Sequence, residues 1–207
     1  MVQQTWTTDE FGTSHEGRVG VLLADGTTPR PVTYPTASGG GGSSTSYWTA
    51  YTGDRFGLAP RAHALRPVCS CGWTGPEHRV DWPEPDEEGE DGKAEFGDQA
   101  YDAADACQDE WDEHIAEVER STVPLPEAVT ELLRRLGEEI ETLGDSSPLA
   151  ALRAAHQLEV TAKQAGYWPA CAVRREVSRE RAAAALGLDE DGVRRLLSHF
   201  DGADFYS

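Results

Sequence analysis

Cys69-Ser70-Cys71, followed at once by Gly72 and Trp73, constrains this chain more than any other short run in it. Two thiolates one residue apart at the end of an extended segment can both reach one cation, and a glycine after them lets the backbone turn sharply beneath it. Zinc takes four ligands in a tetrahedron, so this pair calls for two more from elsewhere. The surroundings show why a staple is needed. Residues 61–147 carry 7 Lys+Arg against 24 Asp+Glu, which accounts for most of the chain's net charge of -19. A small, charge-rich segment with few apolar residues buries too little surface to fold on that alone, and a structural ion supplies folding energy directly.

The candidates for the remaining ligands are His63, His78, Cys107 and His114. Ala104, Cys107, Trp111, Ile115 and Val118 recur at spacings of 3, 4, 4 and 3, which predicts an amphipathic helix over 99–120. Cys107 and His114 are seven residues apart on that helix, or ~10.5 Å along its axis at 1.5 Å per residue, so one ion does not easily take both. His114 follows Trp111 by three residues and shares its face, which ranks it ahead of Cys107. For the fourth position His63 and His78 are close to even. The expected set is Cys69, Cys71, His114 and His63, with His78 and Cys107 as alternatives. A closed structural zinc is expected rather than a catalytic one, because no Glu sits in a general-base motif such as H-E-x-x-H. The competing reading is ordinary reduced cysteines and surface histidines, since a lone C-x-C is a much weaker signal than two C-x-x-C pairs.

The run His63-Ala64-Leu65-Arg66-Pro67-Val68-Cys69-Ser70-Cys71-Gly72-Trp73-Thr74-Gly75, then Asp81-Trp82, then Glu110-Trp111-Asp112-Glu113-His114-Ile115, resembles a group of actinobacterial proteins. These carry a CxCGWxG strand-turn and a distal W-x-x-H on a helix. The resemblance covers about 50 residues, and its most specific part is the pairing of the two motifs. It implies that Cys69, Cys71 and His114 act together, and it implies no activity. The acidic insertion between the two motifs is unusually long here.

The rest of the chain divides by composition. Residues 1–45 are expected to be mostly mobile. They contain one strand candidate, Arg18–Leu23, with an Asp25-Gly26 turn signal and a short hairpin near it, and end in a linker-like Gly39–Gly42 and Ser43-Ser44. Residues 46–122 form the expected zinc module, with Tyr47–Tyr51 and His63–Val68 as extended segments and an acidic, solvated insertion over 84–98. Acidic residues continue to Asp105, and the stretch 84–105 is also a conceivable docking surface for a basic partner. Residues 123–207 read as helical. Val129, Leu132, Leu133, Leu136, Ile140 and Leu143 form an apolar stripe ending at Gly144. A helix from Ser147, with Pro148 at its first position, then runs to Gly166. Tyr167-Trp168-Pro169 is expected to break the chain.

Arg179 to Ser198 fits a helix-turn-helix. The first helix spans 179–186 with small Ala183 at the crossing, Gly187 supplies a left-handed turn residue, Leu188 plugs the core, and Asp189 caps the second helix. Val193 and Leu196 then face inward, leaving Glu190, Asp191, Arg194, Arg195, Ser198 and His199 outward. The segment from Ser147 to Phe200 also resembles the helix-turn-helix ends of many actinobacterial proteins, with Tyr167–Val177 as an insertion.

The expected fold is α+β and mainly helical: a small strand-turn-helix zinc module plus a C-terminal helix-turn-helix domain. The expected function is a non-enzymatic DNA-binding regulator with structural zinc, reading DNA through Arg179, Arg181, Arg194, Arg195, Ser198 and His199. The net charge excludes holding nucleic acid by a bulk positive field, so any contact must be local. The alternative is an acidic adaptor that docks on another protein through its acidic loop or its helical seam. A homodimer through the helix over 126–143 fits either. No apolar run reaches the ~18–20 residues a membrane span needs. The start of the chain is neither basic nor apolar enough for a signal peptide, so the cytoplasm is the expected location. No G-x-S-x-G, phosphate loop or dinucleotide fingerprint occurs.

Overall fold

The computed structural model describes residues 5–35, 42–53, 59–82 and 96–201. The fold is α+β and mainly helical, with two compact units, residues 1–117 and 118–207.

The first unit is built on a three-stranded antiparallel sheet of β1 (Gly17–Leu22), β4 (Ala64–Cys69) and β5 (His78–Arg79), in the order β1-β4-β5. The β1–β4 register runs from Gly17 opposite Cys69 to Leu22 opposite Ala64. A separate ribbon pairs β2 (Val32–Pro35) with β3 (Gly42–Thr45). Helix α1 (Asp98–Ser121) covers the sheet. Its buried residues Ala100, Ala103, Ala104, Cys107, Trp111 and Ile115 recur at helical spacing and join Val19, Val21 and Leu65 in one core. Gly17 is required by this packing, because a Cβ there would sit 2.5 Å from the Trp111 indole nitrogen.

Three expectations for this region are corrected. The described part of the first 45 residues is built into the unit: Trp6, Val19, Val21 and Val32 are all buried in its core. The Gly42-Ser43-Ser44 stretch, which composition marks as linker, is strand, because it pairs with β2 beside the anchored Val32. The aromatic run at Tyr47 is a 3₁₀ turn, Trp48–Ala50, rather than a strand. Trp48 and Tyr51 are three residues apart and both buried, and 3₁₀ geometry brings residues at that spacing onto one side where a strand would oppose them. Most of the acidic insertion, residues 84–95, lies outside the described residues, while Asp98, Asp102 and Asp105 belong to α1.

The second unit contains α2 (Glu127–Ser146), α3 (Pro148–Glu176), α4 (Arg179–Leu186) and α5 (Glu190–His199). Pro148 opens α3 as expected, but the helix does not break at Tyr167-Trp168-Pro169. Pro169 forfeits one backbone bond, to the carbonyl four residues earlier, and the helix continues on either side of it. Gly166 ends nothing. It is the flat spot on α3 against which the Phe200 ring lies, closer than any Cβ would permit. The segment 167–177 is therefore the last third of α3 and its cap.

The short helices follow the expected design. Ser178 accepts from the Arg181 amide, Asp189 accepts from the Gly192 amide, and Gly187 closes α4 at φ 60 and ψ 38. Ala182, Ala183 and Val193 form the core between them, with Val173, Val177, Leu188 and Leu197 packed around it. Leu197, rather than Leu196, is the second residue of α5 against this core.

Candidate metal centre

One site gathers chemistry in the first unit. The ligand atoms of His15, Cys69, Cys71 and His114 all lie within 4.8 Å of one another. Each arrives on a different piece of local structure.

The two cysteines close β4. Cys69 ends the strand, and the backbone reverses through Ser70-Cys71-Gly72, with the Gly72 amide donating to the Cys69 carbonyl at 3.0 Å and the Cys69 amide to the Trp73 carbonyl at 2.9 Å. Gly72 sits at φ +95, a conformation side chains resist. The Trp73 amide donates to Cys71 Sγ at 3.5 Å. The turn thus aims both sulfurs to one side and supplies an N–H that favours the thiolate form.

His15 ends a 3₁₀ turn, Gly12–His15, that is clamped onto the cysteine turn by three hydrogen bonds. Ser70 Oγ donates to the Thr13 carbonyl at 2.9 Å and accepts from the Glu16 amide at 2.9 Å, and the Ser70 amide donates to the Glu16 carbonyl at 2.9 Å. His15 is 3% exposed, the one buried polar or charged side chain among the described residues. His114 sits on the shoulder of α1, three residues after the buried Trp111. The Trp73 ring stacks on its imidazole at 4.3 Å with an interplanar angle of 2°, and the His15 and His114 rings are 5.5 Å apart.

The donor geometry can be tested against zinc. Zn–S near 2.3 Å and Zn–N near 2.0–2.1 Å in a tetrahedron place sulfur and nitrogen ~3.5 Å apart. Cys69 Sγ lies 3.6 Å from His15 Nδ1 and Cys71 Sγ lies 3.5 Å from His114 Nε2. All four atoms lie within 4.8 Å of one another, wider than the ~3.4–3.8 Å edges of an ideal tetrahedral site, so a bound ion would draw the set in. Two thiolates and two imidazoles are a donor set that suits a borderline-soft cation.

The site is also charged for a cation. The Cys71 thiol donates to Cys69 and holds the Cys69 thiol well below the usual cysteine range, against the opposing effect of burial, with a smaller contribution from His15. Cys71 is pushed up by giving that proton and by burial. Burial, partly offset by the Cys69 thiolate, lowers His114 and keeps its imidazole neutral, the form that binds metal. The Trp111 indole N–H is buried beside the site and weakly favours the Cys69 thiolate.

Of the residues expected from sequence, Cys69, Cys71 and His114 come together and His63 does not. His63 precedes β4 at the far end from Cys69, and six residues of strand at ~3.3 Å each put it ~20 Å away; its side chain is exposed. His78 lies opposite Leu65 in β5, and its Nε2 faces both carboxylate oxygens of Glu110 at 3.1 Å. Cys107 is fully buried in the core, where burial and then the Glu110 charge push its thiol up to about 12. The fourth member of the cluster is His15, which spacing alone did not suggest. No local motif marks it; the link is the β1–β4 register, in which paired residue numbers sum to 86, and continuing that ladder places His15 opposite Cys71.

The arginines expected to touch DNA are exposed, as are Ser198 and His199. Three of them face carboxylates: Arg194 with Asp191 at 2.9 Å, Arg195 with Asp189 at 3.9 Å and Arg179 with Glu190 at 4.0 Å. Among the described residues, no helix is long and apolar enough to cross a membrane. Compared with known protein families, characterised proteins and solved structures, the chain has no significant match, so the functional reading rests on the geometry of its own residues.

Proposed function

We propose that this chain is a non-catalytic DNA-binding regulator whose N-terminal unit is stapled by a structural zinc ion. The observation that carries the reading is the α4–Gly187–α5 arrangement, a capped helix-turn-helix with Arg194 and Arg195 exposed on its second helix. The carboxylates beside these arginines do not forbid the role. Exposed ion pairs are worth ~0–1 kcal/mol, so a phosphate or a guanine edge can replace them. The zinc assignment rests on the Cys2His2 donor set and on distances that match a tetrahedral edge. Four protein ligands leave no open position for a substrate or water, which favours a structural ion over a catalytic one. Free thiols of this kind persist in a reducing compartment, which favours the cytoplasm.

Binding to random and selected duplexes across a salt series tests the regulator. Arg194→Ala with Arg195→Ala should leave the fold intact and weaken a cognate duplex by ~1–3 kcal/mol for each base-reading arginine, or lower the salt slope by about one for each phosphate contact. A wild type that binds no duplex at low salt ends this reading.

A second reading has its own observation. Helix α2 has no buried residue, and Leu132, Leu149 and Leu152 are 65%, 83% and 69% exposed on α2 and α3. Large apolar side chains left this exposed along two successive helices favour a protein-docking role. We assign that face to a second copy of the chain, since a helix hairpin without a core of its own gains one by forming a four-helix bundle. A dimer would also present two recognition helices, as a helix-turn-helix of modest charge requires. The adaptor reading differs in needing no DNA.

A further inference from the structure

The first unit has a second concave site, distinct from the metal ligands. A cavity of about 170 Å³ is lined by Trp6, Tyr47, Trp48 and Tyr101, by the small apolar side chains of Val19 and Ala104, and by Asp105 and Gln108. Its chemistry is uneven in an informative way. Four of the eight lining residues are aromatic, one is a carboxylate, and none is cationic.

The rings are held by different means. Trp48 is 5% exposed and meets Tyr101 edge-on at 5.2 Å, while Tyr47 stands 6.3 Å from Trp48. Trp6 is 9% exposed and is fixed from behind by Trp111 at 5.8 Å. Tyr101, by contrast, is 52% exposed, a large ring left facing solvent at the cavity's edge. The α1 backbone sets Tyr101 and Asp105 four residues apart, on one face of the helix. Asp102 and Asp109 lie on the exposed side of the same helix and add negative potential.

We propose that this cavity binds a quaternary or fully methylated ammonium group. Aromatic faces attract a cation through their quadrupoles, and a methylated ammonium loses far less hydration than a bare one when it enters such a site. Asp105 supplies the balancing charge at the mouth. The volume limits the ligand to a head group, since pockets for drug-sized molecules run ~300–1,000 Å³. A neutral apolar guest of the same size would gain the burial but nothing from Asp105 or the ring quadrupoles.

The group could come from a free choline-like molecule or from a trimethylated lysine side chain, and titration separates the two. The full-length protein is titrated with choline, with a short peptide carrying trimethyl-lysine, with the unmethylated peptide, and with the neutral tert-butyl analogue of choline. Tryptophan fluorescence and the indole N–H resonances of Trp6 and Trp48 report binding. Choline or the methylated peptide should bind saturably, the tighter of the two identifying the source. The neutral analogue and the unmethylated peptide should bind about 2- to 30-fold more weakly. Tyr101→Leu should weaken binding over the same ~2- to 30-fold range, with zinc content and circular dichroism unchanged because the side chain is half exposed. Asp105→Asn should weaken the cations and leave the neutral analogue unaffected. The proposal is overturned if no cation gives a saturable change at millimolar concentration. It is equally overturned if the neutral analogue binds as well as choline, or if both variants bind like the wild type.

Discussion

His15→Ala is the most informative change to make in this chain, because His15 reaches the metal centre from a part of the sequence with no metal motif in it. Its Nδ1 stands 3.6 Å from Cys69 Sγ, and its ring is 3% exposed. Structural zinc sites yield ~10–16 kcal/mol of apparent binding energy, so an equal share among four ligands is ~2.5–4 kcal/mol each. At 1.4 kcal/mol per decade, removal of His15 should raise the zinc dissociation constant by about a hundred- to a thousand-fold. A chromogenic chelator competing for the ion at neutral pH measures the change. The unit should remain folded enough to assay, since its core joins Trp6, Trp48, Tyr51, Leu65 and Trp111 independently of any ion. Near-ultraviolet circular dichroism checks that point. His63→Ala serves as the control, and its affinity should equal the wild type's. If His15→Ala binds zinc as tightly as the wild type while Cys69→Ser does not, the fourth ligand has been misplaced; that pattern would falsify the assignment of the site.

If the cluster holds zinc as proposed, acid should release it. His114 has its pKa lowered by burial, so its neutral form stabilises the fold fully above the free-imidazole value of 6.5, and that contribution is lost as pH falls from there through the lowered value. Zinc retention measured between pH 7.5 and 5 should fall in that window, and a flat profile would count against His114 as a ligand. Gly17→Ala should destabilise the first unit by about 1–3 kcal/mol, because the new methyl must displace the Trp111 indole from a packed core; denaturant melts followed by tryptophan fluorescence give the number. Leu132→Glu with Leu152→Glu should convert a dimer to a monomer in light scattering, with helical content retained; an unchanged mass in both proteins refutes self-association through α2 and α3. Gly166→Val should loosen Phe200 from α3 and lower the melting temperature of the second unit.

The parts of this structure that the sequence announces are those where one local rule suffices. The α1 stripe through Cys107, Trp111 and Ile115, the Pro148 start of α3, and the Ser178, Gly187 and Asp189 caps are each written within a few residues. What stays hidden depends on contacts distant in sequence. Pro169 reads as a breaker because its cost is local, yet α3 continues through it to Glu176. The Gly-Ser run at 42–44 reads as linker because composition says nothing about a partner strand. His15 is the extreme case: no motif surrounds it, and only the pairing of β1 with β4 brings it to Cys71. His63, close to even with His78 on spacing, stands at the far end of β4 from Cys69, so its nearness in sequence does not become nearness in space.

The clamp between the His15 turn and Ser70 has a consequence in time. A ribosome adding ~5–20 residues per second emits His15 about 5–20 s before His114, the 99th residue after it. Until β4 emerges, β1 has no partner for its backbone, and the 3₁₀ turn has no Ser70 to hold it. The N-terminal stretch Gly17–Leu22, apolar at Val19, Val21 and Leu22, therefore waits without its partner strand until Cys69 has been made. Synonymous changes that slow translation between residues 23 and 69 should lengthen that wait and lower the soluble yield, while the same changes after residue 121, where α1 is complete, should not.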